Sequence, residues 1–224
     1  MIPARRTMAF SLAAFLLVGA GLSMVYGLPA ALADARSLAA RLQVDAWREG
    51  APSKNGVEQR WISVRDQLLA ALAIAPENPQ FHSDLGYLHA LRGLQVPAAK
   101  QYTAMAELRQ SLLAVAVEYY RNAAVLRPMF PYGWAHLALV KHYINQDDAE
   151  LWSAYDKTYA YGRNEPSMQR ILAEIAFARW TNLNRQRRTA LLDIVRDNPP
   201  RLNQPLLVLA AFYNIDLQPN TAKP

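Results

Sequence analysis

The chain of 224 residues contains no cysteine. This absence excludes disulfide bonds, thiol catalysis and cysteine-ligated metal centres. Only four histidines remain for a metal site, and none of them forms the i, i+4 pair that a helical zinc site uses. The phosphate-binding motifs GxxxxGK[ST] and GxGxxG are also missing. We therefore expect neither a metal nor another cofactor, and no nucleotide.

Glycine and charge are both scarce. Glycine accounts for 9 residues, charged residues for 19% and apolar residues for 52%, which is typical of a folded, helix-rich chain. The net charge of +6 is small for this length, and no basic run concentrates it on one tail. We therefore do not expect nucleic acid among the partners.

One long apolar run lies near the N-terminus. Residues 8–28 carry no charge, and a helix of about 20 residues crosses the ~30 Å hydrocarbon layer. The sequence Ala31-Leu32-Ala33 before Asp34 also fits the rule for signal-peptidase cleavage. A retained anchor is favoured because the run exceeds the 7–15 residues usual in a signal peptide and a helical pattern continues from Asp34 to Trp47.

The orientation of this span rests on a close balance of basic residues. Arg5 and Arg6 precede the span, and Arg36, Arg41 and Arg48 follow it. The short basic tail is similar to the start of a secretory signal. We therefore expect a single-pass protein of the bacterial inner membrane with its C-terminal domain in the periplasm, and a cytoplasmic domain stays as the alternative.

The rest of the chain shows helical periodicity and an internal repeat. Apolar residues recur at i, i+3, i+4 and i+7, and no strand-like alternation appears. Two segments match each other at a spacing of 52 residues. Their repeat-packing positions are Ala71, Pro76, Leu85 and Gly86 in the first copy, and Ala123, Pro128, Leu137 and Ala138 in the second, where Ala116, Tyr120 and Trp134 complete the pattern.

These positions resemble the tetratricopeptide repeat. The resemblance implies an all-α fold of antiparallel helix hairpins in a short right-handed solenoid, with a degenerate third copy starting at Pro166 and its second helix over Thr189 to Val195. Because that family repeats every ~34 residues, the longer spacing predicts one lengthened helix from near Pro97 to about Leu126. We expect residues 1–33 to form the anchor or signal, 34–56 a connecting helix and linker, 57–215 the helical domain, and 216–224 a flexible tail.

A narrower resemblance is carried by the run Arg127 to Tyr143 (RPMFPYGWAHLALVKHY), by residues 162–166 (GRNEP) and by Trp180. These segments are similar to the VpsP-like proteins of bacterial exopolysaccharide biosynthesis. The resemblance implies a role beside polysaccharide synthesis and export proteins, without implying an activity of its own, and we expect the protein not to be an enzyme. It carries over no site residue.

Tetratricopeptide domains bind proteins in a concave groove. The repeat pattern places five residues on that face: Tyr87, Tyr132, His136, His142 and Tyr143. We accordingly predict a scaffold that binds other envelope proteins. Two alternatives stay open: a glycan-binding or glycan-processing accessory protein that uses the arginines at 179, 185, 187 and 188 with the acids at 147, 148 and 150, and an assembly factor of another envelope pathway.

Overall fold

A computed structural model describes residues 3–50, 57–97 and 103–217, and these residues form helices with no strand. The predicted all-α class is therefore confirmed for them. Most of the predicted linker and the residues from 218 onward lie outside this part of the chain. The helices are α1 Pro3–Arg48, α2 Val57–Ile74, α3 Pro79–Gln95, α4 Thr103–Leu126, α5 Pro131–Tyr143, α6 Ala149–Gly162, α7 Pro166–Ala178, α8 Arg185–Asp197 and α9 Pro200–Phe212.

The chain divides into two compact units, Met1–Asp84 and Leu85–Pro224. The first unit contains α1, α2 and the first residues of α3. The second contains the rest of α3 and the helices α4 to α9. The boundaries expected from the sequence after residues 33, 56 and 215 stay predictions. Leu217, at the start of the expected tail, is buried in the core of the second unit.

Helix α1 is continuous through the possible cleavage site. Its last turns bury one face, made of Ala33, Ser37, Ala40 and Val44, and α1 packs against α2. This spacing of three or four residues keeps the four side chains on one side of a helix. No helix end separates the apolar run from the connecting segment.

The apolar run is exposed within this chain at those of its residues from Ala14 onward whose side chains the structure describes, apart from Pro29 just beyond it. The described part of α1 from Ala14 is the only described helix that is long and apolar enough to cross a membrane, and its most apolar window is not buried. An isolated apolar helix of this kind is stable in lipid because its backbone groups are satisfied internally. The N-terminal segment is therefore a candidate membrane span by length and composition.

A salt bridge joins the end of α1 to the start of α3 within the first unit. Arg48 Nη2 donates to Asp84 Oδ1 at 2.7 Å, and Gln80 Nε2 donates to the same oxygen at 2.9 Å. Asp84 is 1% exposed. Burial raises the pKa of this carboxyl, while Arg48, Gln80 and Arg41 act in the opposite direction.

The repeat found in the sequence recurs in the structure with the same spacing. Helices α2 and α4 end at Ile74 and Leu126, and helices α3 and α5 begin at Pro79 and Pro131. Proline is favoured at this first helical position because its missing N–H needs no partner there. The helix ends therefore reproduce the spacing of 52 residues.

A matching hydrogen bond closes the turn in each copy. Trp134 Nε1 donates to the carbonyl oxygen of Pro128 at 2.9 Å, and His82 Nε2 donates to that of Pro76 at 2.8 Å. Imidazole and indole N–H groups thus fill equivalent positions. The two turns are therefore closed by the same kind of hydrogen bond, although the donor is histidine in the first copy and tryptophan in the second.

One helix start differs from the prediction, and another lies beside residues that the structure does not describe. Helix α3 continues to Gln95, and α4 spans Thr103–Leu126, so α4 ends where the lengthened helix was expected to end, while residues 98–102 near its expected start lie outside the described residues. Arg109 of α4 closes the end of α3, because its Nη1 donates to the carbonyl oxygens of Gly93 at 3.0 Å and Val96 at 3.2 Å. In the third copy α7 starts at Pro166, as predicted, whereas α8 starts at Arg185, before Thr189.

The second unit is packed around α5, which contacts α4, α6 and α7. Two glycines permit these close approaches. A Cβ on Gly133 would lie 3.0 Å from the backbone of Ala124, and one on Gly162 would lie 2.7 Å from Pro131 Cβ. Such distances leave no room for a side chain, so α4 and α6 approach α5 more closely than larger residues would allow.

Candidate functional site

The residues predicted to pack the repeats take two kinds of position. Both Pro76 and Pro128 are exposed in turns, where their carbonyl groups act as acceptors. The remaining members are all buried: Ala71, Leu85, Gly86, Ala116, Tyr120, Ala123, Trp134, Leu137 and Ala138.

Three of the predicted groove residues share one side of α5. Tyr132, His136 and Tyr143 are separated by 4 and 7 residues, which places them within about 40° of one another around the helix axis. Tyr132 stacks on Phe130 at 5.0 Å between ring centroids, and His136 stacks on Tyr120 at 5.2 Å. Tyr143 is 37% exposed. Aromatic rings therefore lie at the start, the middle and the end of this side of α5, with Leu139 between the last two.

His142 lies on another side of α5. Six residues from His136, it is rotated by about 120° from that residue, and its Nδ1 accepts a hydrogen bond from Arg179. Burial, followed by the positive charge of Arg179, lowers the pKa of His142 to about 4. His142 therefore binds an arginine of its own fold as a neutral acceptor.

Tyr87 belongs to α3 and is half-buried. Its ring packs against the hydrophobic core of the second unit. The five predicted groove residues are thus distributed over three environments, namely the aromatic side of α5, the Arg179 contact and the core beside α3.

Tyr143 lies near two charged groups of α7, Glu174 and Arg170. Burial and then the charge of Glu174 raise the pKa of Tyr143, while Arg170 and Arg109 act in the opposite direction. Glu174 also accepts a hydrogen bond of 3.0 Å from the hydroxyl of Tyr213, and the pKa of Tyr213 is raised to about 12 by burial and by this bond. A phenol from α5, a carboxylate from α7 and a phenol after α9 thus surround one small polar area.

A groove opens beside this polar area between α7 and α9. It has a volume of about 550 Å³. Its lining residues are Arg170, Gln204, Pro205, Val208, Leu209 and Phe212. Val208 is 62% exposed and Phe212 is 76% exposed, so the groove offers apolar surface to water. We call this cavity together with Tyr143 and Glu174 the α7–α9 groove.

The end of α5 is fixed by an ion cluster that includes the predicted acids. Glu150 accepts from Arg121 Nε at 2.5 Å and Nη2 at 2.9 Å, and Lys141 Nζ donates to Glu150 at 2.6 Å and Asp148 at 2.8 Å. Asp148 also caps α6 by accepting from the N–H of Leu151 at 2.9 Å. The acids at 148 and 150 thus have structural partners in α4, α5 and α6.

Three of the four clustered arginines make contacts inside the fold. Arg179 contacts His142 and lies 3.7 Å from Asp147. Arg187 donates twice to Asp156 at 2.8 Å and lies 4.5 Å from the centre of the Trp152 ring. Arg188 donates to the carbonyl oxygen of Trp180 at 2.6 Å. Their guanidinium groups are therefore committed to intramolecular partners.

The described part of the chain contains no group of three histidine, aspartate or glutamate residues placed to hold a metal ion. Comparisons of the chain with protein-family models, with curated proteins and with solved structures find no match. The geometry of the described residues therefore carries the functional argument.

The sequence did not single out most of the α7–α9 groove. Arg170 and Glu174 are an i, i+4 pair on α7, and Val208 and Phe212 are an i, i+4 pair on α9. The second pair is apolar and exposed at the last described helix of the chain. An apolar i, i+4 pair on the last described helix was therefore the feature of the sequence that could have pointed to this groove.

Proposed function

We propose that the protein is a membrane-anchored scaffold that binds a partner protein through the α7–α9 groove. The single observation that carries this proposal is the groove itself, in which exposed Val208 and Phe212 line one cavity with Arg170. Glu174 follows Arg170 by one turn of α7 and accepts a hydrogen bond from Tyr213, the residue after Phe212. Large exposed apolar side chains next to a few polar groups are characteristic of protein interaction sites. The apolar surface supplies binding energy, and the two charges fix the orientation of the bound segment.

The finer proposal is that helices α3 to α8 form hairpins of tetratricopeptide type. The equal spacing of the helix ends and the two matching turn hydrogen bonds support it. In this arrangement α5, α7 and α9 line the concave side, and the bound segment is an amphipathic helix or an extended peptide with apolar anchors. We propose that the partner is a synthesis or export protein of a bacterial exopolysaccharide system, on the basis of the VpsP-like resemblance.

The proposal places residues 8–28 in the inner membrane and the helical domain in the periplasm. The continuous α1 supports a retained anchor, because the packing of Ala33, Ser37, Ala40 and Val44 on α2 joins the span directly to the first unit. A tethered domain meets other membrane proteins at a raised effective concentration. A short groove of modest intrinsic affinity is therefore sufficient.

The test is a crosslinking pull-down of the full-length chain from membranes of the producing cells, with the captured proteins identified by mass spectrometry. Phe212→Ala removes the most exposed apolar side chain of the groove, and we expect roughly ten-fold less of one specific partner. Tyr143→Ala is expected to reduce the same partner. Tyr161→Ala is the matched control, because Tyr161 is 42% exposed and belongs to α6.

Equal capture by the Phe212→Ala variant, the Tyr161→Ala variant and the unaltered chain would remove the groove from the proposal. Capture of a polysaccharide synthesis or export protein would support the proposed system, whereas capture of proteins from another envelope pathway would replace it. Retention of polysaccharide by the protein without any protein partner would instead favour direct glycan binding.

A further inference from the structure

Two arginines border the apolar wall of the α7–α9 groove. Arg170 of α7 lines the cavity together with Val208 and Phe212 of α9. Arg201 precedes Val208 by 7 residues and Phe212 by 11 residues, which places these three within about 40° of one another around the axis of α9. One guanidinium group therefore lies across from the apolar wall, and a second lies in line with that wall along α9.

Neither of these guanidinium groups is neutralised inside the fold. Arg170 and Arg201 are both exposed, and neither side chain forms an ion pair or a hydrogen bond with the residues that the structure describes. Arg187, by contrast, donates twice to Asp156 at 2.8 Å. Arg170 and Arg201 are therefore able to bind a carboxylate that comes from another molecule.

The acid of the groove is held by tyrosines of the chain itself. Glu174 follows Arg170 by one helical turn, yet its carboxylate accepts a hydrogen bond of 3.0 Å from the hydroxyl of Tyr213. Burial and then the charge of Glu174 raise the pKa of Tyr143, so this carboxylate also lies near a second phenol. Two arginines and one carboxylate leave the groove and its border with a surplus of positive charge.

We infer, as a step that rests on the proposed function, that the α7–α9 groove binds an acidic, amphipathic segment of the partner protein. In this segment aspartate or glutamate residues flank large apolar side chains. The apolar side chains pack on Val208 and Phe212, and the flanking carboxylates accept paired hydrogen bonds from Arg170 and Arg201.

Charge complementarity selects this occupant over a neutral or basic segment with the same apolar residues. Such a segment would cover the groove and take water from Arg170 without offering it an acceptor, and a charge that loses water without gaining a partner is unfavourable. A basic segment would in addition be repelled by Arg201. The apolar wall therefore supplies affinity, and the two arginines supply the preference for an acidic partner.

The test selects peptides from a displayed library of random sequences on the full-length chain in detergent micelles. Peptides that the chain retains and the Phe212→Ala variant does not are groove binders. Among them we expect aspartate and glutamate together to outnumber lysine and arginine by roughly three-fold. Groove binders without an acidic excess would overturn this inference while the groove stays a binding site.

A charge reversal then tests the arginines, with a synthetic copy of the most enriched peptide as the probe and fluorescence anisotropy as the readout. Arg170→Glu should weaken binding of this peptide roughly ten-fold, and Arg201→Glu roughly three-fold. Arg170→Lys keeps the charge and should lose less than Arg170→Glu. Arg185→Glu is the matched control, because Arg185 is exposed at the first position of α8 and does not line the groove.

The control should change the affinity by less than about two-fold. Equal weakening by Arg170→Glu and Arg185→Glu would show a general attraction of acidic peptides to a chain of net charge +6, and would overturn the inference. Selection of no Phe212-dependent peptide, with Phe212-dependent binding to vesicles of anionic phospholipid instead, would assign the groove to a lipid surface. That result would contradict both this inference and the proposed function.

Discussion

Replacing Glu150 by glutamine should weaken the corner where α4, α5 and α6 meet. Glu150 accepts two hydrogen bonds from Arg121 of α4 and one from Lys141 of α5. The Lys141 side chain is 3% exposed. In Glu150→Gln, Asp148 is the one negative charge that still pairs with Lys141. The side-chain amide oxygen of the introduced glutamine can accept one hydrogen bond, but it carries no charge.

The size of the effect follows from the pKa of Glu150. The hydrogen bonds from Arg121 are the main reason that this pKa is lowered from 4.5 to about 2; burial opposes them, and Lys141 lowers it further. That lowering corresponds to a ceiling of about 3.4 kcal/mol. Because the side chain is 35% exposed, solvent screening reduces this figure, and we expect Glu150→Gln to cost about 2 kcal/mol of unfolding free energy.

Thermal unfolding of the full chain in detergent micelles, followed by circular dichroism, measures this cost. At neutral pH, about 2 kcal/mol should lower the Tm by roughly 4–8 °C. Glu118→Gln is the control, because Glu118 is 67% exposed and also pairs with Arg121. That control should cost less than about 0.5 kcal/mol.

The pH dependence provides the stricter test. Since the folded pKa of Glu150 is depressed, its contribution is complete above the unfolded pKa near 4.5 and is lost as the pH falls toward about 2. The difference between the unaltered chain and Glu150→Gln should therefore shrink to less than about half at pH 3. An equal effect of Glu118→Gln, or a difference that persists at pH 3, would refute this reasoning.

Three further predictions concern single contacts. Gly133→Ala should destabilise the second unit by about 1–3 kcal/mol in the same melting assay, because its Cβ would meet the Ala124 backbone, and unchanged melting would show that α4 and α5 can separate. Arg109→Gln should speed amide hydrogen exchange at residues 94–96, because the end of α3 loses its hydrogen-bond donor. The free energy of unfolding should fall by about 1 kcal/mol, which lowers the Tm by only a few degrees. Unaltered exchange would show that Arg109 does not cap α3. His142 should show no NMR titration between pH 8 and 5.5, and because its folded pKa is below the unfolded value of 6.5, stability is lost as the pH falls from 6.5 toward about 4. His142→Gln should lessen that loss, and a titration midpoint near 6.5 would contradict the contact with Arg179.

Much of the local structure was determined by the sequence alone. The apolar run predicted a helix that can cross a membrane, because the bilayer thickness sets the length of such a run. Pro166 marked the start of α7, because proline fits the first turn of a helix and is disfavoured in the interior. The spacing of 52 residues between the two copies matched the spacing of two turns in which His82 and Trp134 take equivalent positions.

Tertiary structure decided which side chains meet. Long residues such as Arg109, Arg179 and Glu150 reach partners on other helices, and the sequence pattern of one helix does not specify the identity of those partners. His142 fitted the groove by its position in the repeat, yet packing turned it toward Arg179. The α7–α9 groove depends on how two helices that are separated in the chain by α8 pack against each other, and that packing is not specified by the sequence pattern of either helix.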